Sequence, residues 1–254
     1  MSTRTLRLER MTYEEAEQLL ATGPIALLPT GSVEPHGPHL SLRVDTIIAE
    51  GVALRAAYKL TGVNTPAVVL PAVPFGVTHY ASGFAGVVGL SASLLGLVIQ
   101  EIAHELKKAG ARLLVLVNAH LEPDHLAALA DAVAAVERQV GLPAIFPNIT
   151  RRDHAARLGE EFQSGACHGG SFETSLVLAS SEDDVLRARL QGLPPVAISL
   201  SKAIRDGKRT FHEAGLASAY CGSPASASVA EGERTYDVLA DIIAAAALAA
   251  LRGG

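Results

Sequence analysis

The chain has 254 residues, of which 49% are hydrophobic and 19% charged, and its formal net charge is -5. That composition can bury a sizeable core and excludes a disordered chain, and the length suits one large domain or two small ones. The acidic balance excludes the usual footprint of a nucleic-acid binder, and two cysteines are too few for a disulfide framework.

The N-terminal stretch MSTRTLRLERMTYEEAEQ lacks the apolar run of a secretory leader. Thr12 and Glu15 fit a capping box that opens a helix ending near Thr22, where Gly23-Pro24 breaks it. Ile25 to Pro29 is a short apolar strand. Asp45 to Leu60 is periodic and helical. Ala67 to Val73 reads as a second strand, followed by a glycine-rich loop with His79 and Tyr80. Ser93 to Lys108 is an amphipathic helix that Gly110 stops. Arg112 to Asn118 is a continuous apolar strand, typical of a parallel sheet covered on both faces.

A helix from Asp124 to Val140 and a strand within PAIFPNI follow. Another helix begins at FETSLVLA, PVAISL reads as a late strand, and the last helix covers Ala230 to Leu251. Gly222 to Gly232, rich in small residues, reads as the loop that leads into it. The apolar tail Ile242–Leu251 falls short of the about 20 residues of a membrane span. The expected architecture is one α/β domain over residues 1–254, with a mostly parallel central sheet flanked by helices. A cytoplasmic protein with no membrane or nucleic-acid partner is expected.

In such sheets, ligands bind beyond the carboxyl ends of the strands. Two polar clusters sit there: Glu34-Pro35-His36 with Asp45, and His120-Leu121-Glu122 after Asn118. In extended chain, residues i and i+2 point to one side. Glu34 and His36 can therefore aim at one place, as can His120 and Glu122. Pro35 keeps the first pair out of a helix, and Gly31 and Gly37 let the backbone turn around it. Imidazoles and carboxylates without thiolate suit Zn²⁺ or Mn²⁺. Five such residues suit a pair of ions with one carboxylate bridging. Asp45 also stands where a helix begins, so an N-cap is its competing role.

The segment PTGSVEPHGPHLSLRVDT resembles the signature of the creatininase family of amidohydrolases, G-S-x-E-Q-H-G-P-H-L-P-L-x-T-D. VNAHLEP is similar to the family's N-G-H-x-E-N, CHGGSFETS to its H-A-G-x-x-E-T-S, and SGFAGVVGLS to its F-P-G-T-x-x-L stretch. The resemblance implies a creatininase-like fold and two divalent metal ions, Zn²⁺ or Mn²⁺, with Fe²⁺ as a further candidate. It implies that Glu34, Asp45 and His120 hold one ion. His36, Asp45 and Glu122 would hold the other, with Asp45 shared. It makes His168 the catalytic proton shuttle and Glu173 a residue that fixes the site from behind. It also implies a homo-oligomer, a hexamer in relatives.

The implied reaction is hydrolysis of a non-peptide C–N bond in a small cyclic amide or formamide by a metal-bridged hydroxide. Creatinine itself fits less well, because the chain has no tryptophan and Leu121 replaces a family tyrosine. The peptidase relatives fit less well because they tend to lack the acid found here at Glu122. Pro35, Ala119, Pro123 and Cys167 are further departures from the family pattern. A metal-binding protein without catalysis is the alternative of a different class, and retention of His168 counts against it. A dinucleotide-binding fold ranks low, because no G-x-G-x-x-G follows the first strand.

Overall fold

The computed structural model describes residues 6–253. In chain order the main elements are α1 (Tyr13–Leu20), β1 (Ile25–Thr30), α2 (Val44–Gly62), β2 (Ala67–Val69), α3 (Ala92–Lys108), β3 (Leu113–Asn118), α4 (Pro123–Ala135) and β4 (Ala144–Ile145). They continue with α5 (Arg152–Ala155), α6 (Glu160–Ser164), α7 (Ser171–Ser180), α8 (Arg187–Leu190), α9 (Leu200–Arg205) and α10 (Val229–Gly253). The four strands form one parallel sheet in the order β2-β1-β3-β4.

Strand alternation explains the layering. In β1, Ile25 and Leu27 face a core shared with α2, α7 and α10, while Ala26 and Leu28 face a second core under α3 and α4. β3 divides in the same way, with Leu113, Val115 and Val117 on one face and Leu114 and Leu116 on the other. A sheet buried on both faces needs such unbroken apolar runs. β1 and β3 run in register from Ile25↔Leu113 to Thr30↔Asn118, so their carboxyl ends finish level with each other. The two polar clusters emerge side by side from those ends.

Most sequence-predicted elements are found. Thr12 and Glu15 form the reciprocal capping box at α1. The helix after β3 starts at Pro123, and a π-helical turn, Val136–Val140, completes it. Regular pairing of β2 stops at Val69, because Pro71 has no N–H for the ladder, and it resumes only where Val73 donates to the Pro29 carbonyl. β4 is a two-residue edge strand, cut short before Pro147.

The late strand at PVAISL is not formed. Val196 makes one antiparallel bridge to Gly222, outside the sheet, and Ser199 then caps α9. Its apolar side chains serve a third, smaller core that joins loop 80–87 to segment 196–221. This lobe roofs the carboxyl end of the sheet. The Gly222–Gly232 loop is shorter than expected, since α10 already begins at Val229. Among the described residues no helix is long and apolar enough to cross a membrane.

Candidate active site

Glu34, His36, Asp45, His120, Glu122, His168 and Glu173 are all buried, none more than 6% exposed. They converge at the carboxyl ends of β1 and β3. Asp45 is the second residue of α2, and the N-cap is Arg43, so capping is not the role of Asp45. Its Oδ2 accepts a hydrogen bond from the Ser32 backbone N–H at 3.1 Å. Gly31 makes this approach possible, because a Cβ there would stand 2.7 Å from Asp45 Cβ. Gly37 has φ +78°, the left-handed conformation that turns the chain after His36.

Asp45 faces both neighbouring imidazoles, with His36 Nε2 3.2 Å from Oδ1 and His120 Nδ1 3.2 Å from Oδ2. Glu34 Oε1 lies 3.2 Å from His120 Nδ1, 4.0 Å from His36 Nε2 and 3.9 Å from His168 Nδ1. The i, i+2 reasoning therefore holds for Glu34 and His36. It also holds for His120 and Glu122, whose Nε2 and Oε2 are 3.9 Å apart.

The grouping differs from the family-implied pairing at one point. Glu122 groups with Glu34 and His120, and it is Glu173 that groups with His36 and Asp45. The Glu122 carboxylate accepts from the backbone N–H groups of His79, at 2.8 Å, and Tyr80, at 3.1 Å. Glu173 Oε2 lies 3.7 Å from His36 Nε2 and accepts from the Gly169 N–H at 2.7 Å. Glu173 thus stands beside His36 at the edge of the cluster while its other contact holds the loop at Gly169.

The imidazole tautomers are set by backbone carbonyls. Nδ1 of His36 bonds the Glu34 carbonyl at 3.1 Å, Nε2 of His120 that of Val77 at 2.8 Å, and Nε2 of His168 that of Pro35 at 2.9 Å. A carbonyl only accepts, so each of those nitrogens carries the proton. In the neutral ring the other nitrogen offers a lone pair on the carboxylate side, a position that a proton takes on His36 and His120 when no ion does. His36 Nε2 is buried with no hydrogen-bond partner, although Asp45 is near. Imidazole lone pairs, acceptor-only carboxylates and distal N–H groups tied to carbonyls are the donor set of a divalent metal site. The residues present fit such an ion.

The electrostatics agree. Burial disfavours charge on His36, but Glu173, Asp45 and Glu34 raise its pKa to about 10. Burial is likewise overcome at His120, which Glu34 and Asp45 push well up. Burial would raise Glu34, yet His120 holds it at about 2. Asp45 is held below the usual carboxylate range by His36 and His120 against the cost of burial. Burial raises Glu173 to about 7 and also lifts Glu122. The carboxylates favour positive charge at the cluster, supplied by protons on His36 and His120 or by an ion that displaces those protons. His168 goes the other way, lowered to about 4 by burial and by the charge on His36.

Residues that the sequence reading passed over complete the surroundings. The Thr78 hydroxyl donates to Glu34 Oε2 at 2.5 Å. His125 is fully buried. Its Nδ1 accepts from the Val77 N–H at 3.1 Å and its Nε2 meets Asn118 Oδ1 at 2.9 Å. Asn118 in turn donates to the His120 carbonyl and accepts from its N–H. His39 is buried and bonds Thr174 Oγ1 at 2.9 Å, a structural role. His79 is exposed and contributes its backbone, while His154 bonds the Asn148 carbonyl outside the cluster. Cys167 lines the cavity, but burial pushes its thiol up, so it stays a neutral neighbour of His168.

A cavity of about 250 Å³ opens above the cluster. Its floor carries Glu34, Asp45, His120, Glu122 and Glu173, and its walls are mostly apolar, with Leu121, Phe162, Leu200 and Phe211.

The sequence profile described as "Creatininase: Creatinine amidohydrolase" matches residues 9–247. The chain belongs to the creatininase family. It is 34% identical over 224 residues to the mycofactocin precursor peptide peptidase of Mycolicibacterium smegmatis, covering 87% of this chain and 83% of the relative. It is 30% identical over 208 residues to the creatinine amidohydrolase of Pseudomonas putida, covering 73% and 75%. A crystal structure of creatinine amidohydrolase superimposes with TM-score 0.75 at 26% identity, over 95% of this chain and 96% of that one. A structure described as "Creatininase Mn" gives TM-score 0.75 at 24% identity, over the same shares, and shows the shared fold. The creatininase-like α/β fold expected from the motifs is therefore found.

Proposed function

We propose that this creatininase-family protein is a metal-dependent amidohydrolase that cleaves the C–N bond of a small cyclic amide or formamide. The observation that carries this reading is the common orientation of His36, His120 and His168. Each ties one nitrogen to a backbone carbonyl and turns the other toward buried carboxylates. Asp45 would serve two ions, a reading supported by the facing of Oδ1 to His36 and Oδ2 to His120. Glu34, His120 and Glu122 would serve one ion, and His36 and Glu173 the other. The nitrogen and oxygen donor set suits zinc or manganese.

When bound, such ions supply a Lewis acid for the carbonyl and ease ionisation of water. The proton is handled by His168. Its Nε2–H is committed to Pro35, so Nδ1 is the basic nitrogen, facing the cluster 3.9 Å from Glu34. Nδ1 takes the proton of the attacking water and passes it to the leaving nitrogen. Phe211 packs on the ring at 4.3 Å between centroids and holds it in that orientation. Glu173 steadies the same loop through Gly169.

Metal content and turnover test this together. The purified protein should hold divalent metal and hydrolyse at least one member of a panel of cyclic amides, N-formyl amines and short peptides. Chelation should abolish turnover and metal should restore it. Hydrolysis indifferent to chelation, or none by metal-loaded protein, would sink the reading. A second reading, cleavage near the end of an extended peptide, is favoured by relatives at 30–34% identity named mycofactocin precursor peptide peptidase. The peptide members of the panel separate the two.

A further inference from the structure

The cavity is chemically two-ended. Its floor holds four carboxylates and the His120 imidazole, whose chemistry acts on the amide. Among the residues that line it, Arg205 is the one arginine or lysine. Arg205 ends α9, is exposed, and makes no hydrogen bond or ion pair within the described residues. The walls are mostly apolar, with Phe162, Leu200, Ile204 and Phe211, and Thr150, Gln163 and Ser201 add polar groups.

Arg205 is not isolated in charge. The stretch from Lys202 to Arg209 carries four basic residues against Asp206, in a chain whose net charge is -5. Asp206 is already engaged by Lys202 at 2.5 Å. The stretch is held at the cavity, because Tyr80, itself a lining residue, donates its hydroxyl to the Lys208 carbonyl at 2.6 Å. A local cationic rim on an acidic protein attracts anions, and a guanidinium with unused N–H groups is a planar fork for a carboxylate.

We infer that the substrate is an amide that carries a carboxylate, with Arg205 as the residue that receives it at the cavity mouth. The amide lies over the floor, an apolar group rests on the phenylalanines, and the carboxylate reaches the rim. N-acyl amino acids and free peptide ends have this layout. The inference rests on the amidohydrolase reading only for what happens at the floor.

The test compares N-formylphenylalanine with its carboxamide on metal-loaded wild-type protein and on Arg205→Gln. Arg205 is exposed, so the substitution leaves the fold intact. Calorimetry should show the acid binding wild type roughly tenfold or more tighter than the carboxamide, as a charge-assisted bidentate contact gives. In Arg205→Gln the two should bind within about twofold of each other. Equal binding to wild type, no binding of the acid, or a preference that survives Arg205→Gln would each overturn the assignment. The last outcome would place the carboxylate on the metals instead. Release of formate is followed in the same mixtures. Arg205-dependent binding without formate from any amide would support the assignment and count against the hydrolase reading.

Discussion

His120 and His125 hang from opposite ends of one residue, Val77. The Val77 N–H donates to His125 Nδ1 at 3.1 Å, and its carbonyl meets His120 Nε2 at 2.8 Å. The two rings stand 4.8 Å apart in an edge-on arrangement. His125 therefore anchors the residue whose carbonyl fixes the tautomer of His120. Replacing His125 by leucine leaves the Val77 N–H and Asn118 without that partner. Metal affinity should fall about 10–100-fold, the usual cost of losing such support. Competition with a graded chelator measures it. Unchanged affinity in a folded variant would show that Val77 holds its place without His125.

Asp45 touches both halves of the cluster, so its loss should not be local. Asp45→Ala should strip all bound metal and all turnover. Glu122→Ala should retain part of the metal, because Glu122 approaches only the Glu34 and His120 side. Elemental analysis after dialysis reads both. Equal retention by the two variants would argue against a shared carboxylate.

His168 is assigned to protons. His168→Gln should keep the metal content of the wild type and lower kcat by about 10²–10⁴-fold, the range for a general acid–base group. KM should change much less. A variant that loses metal and turnover in parallel would make His168 a ligand, which its Nδ1, 3.9 Å from Glu34, is also placed to be.

His39 gives a pH signature separate from catalysis. Burial, with the charge on His36, lowers its pKa from 6.5 to about 4. A depressed folded-state value means that the unfolded chain takes up the proton first as pH falls. Stability tied to His39 is therefore full above about pH 6.5 and is lost progressively toward pH 4, on the order of 2–3 kcal/mol for that shift. Urea midpoints at several pH values should fall more steeply for wild type than for His39→Gln. Parallel slopes would remove His39 from the account.

Much of this molecule is legible in its sequence, for physical reasons. β1 and β3 announce themselves as unbroken apolar runs, because only a doubly covered sheet tolerates them. Glu34 with His36, and His120 with Glu122, were readable because extended chain repeats every two residues. Asp45 was readable as a nearby acid at a helix start, and the resemblance then added His168 and Glu173, which no local period links to those pairs. What stayed hidden is long-range. The place of Glu173 beside His36 depends on loop 168–170 folding back across the sheet end. His125 looks like any histidine in the first turn of a helix until Asn118 and Val77 are seen around it. PVAISL has strand-like composition, but its apolar side chains serve the small roof core instead of the sheet. The basic residues from Lys202 to Arg209 look scattered until Tyr80 is seen to seat that stretch on the cavity.

The roof core has one more consequence. The floor is anchored by main-chain bonds at nearly every side chain, so altering it alters the sheet ends themselves. The roof is built from a separate cluster of loop side chains that shares no strand with the floor. The polar cluster and the roof above it are thus carried by different parts of the chain. Substitutions within residues 196–221 can therefore reshape one wall of the cavity and leave the sheet ends as they are.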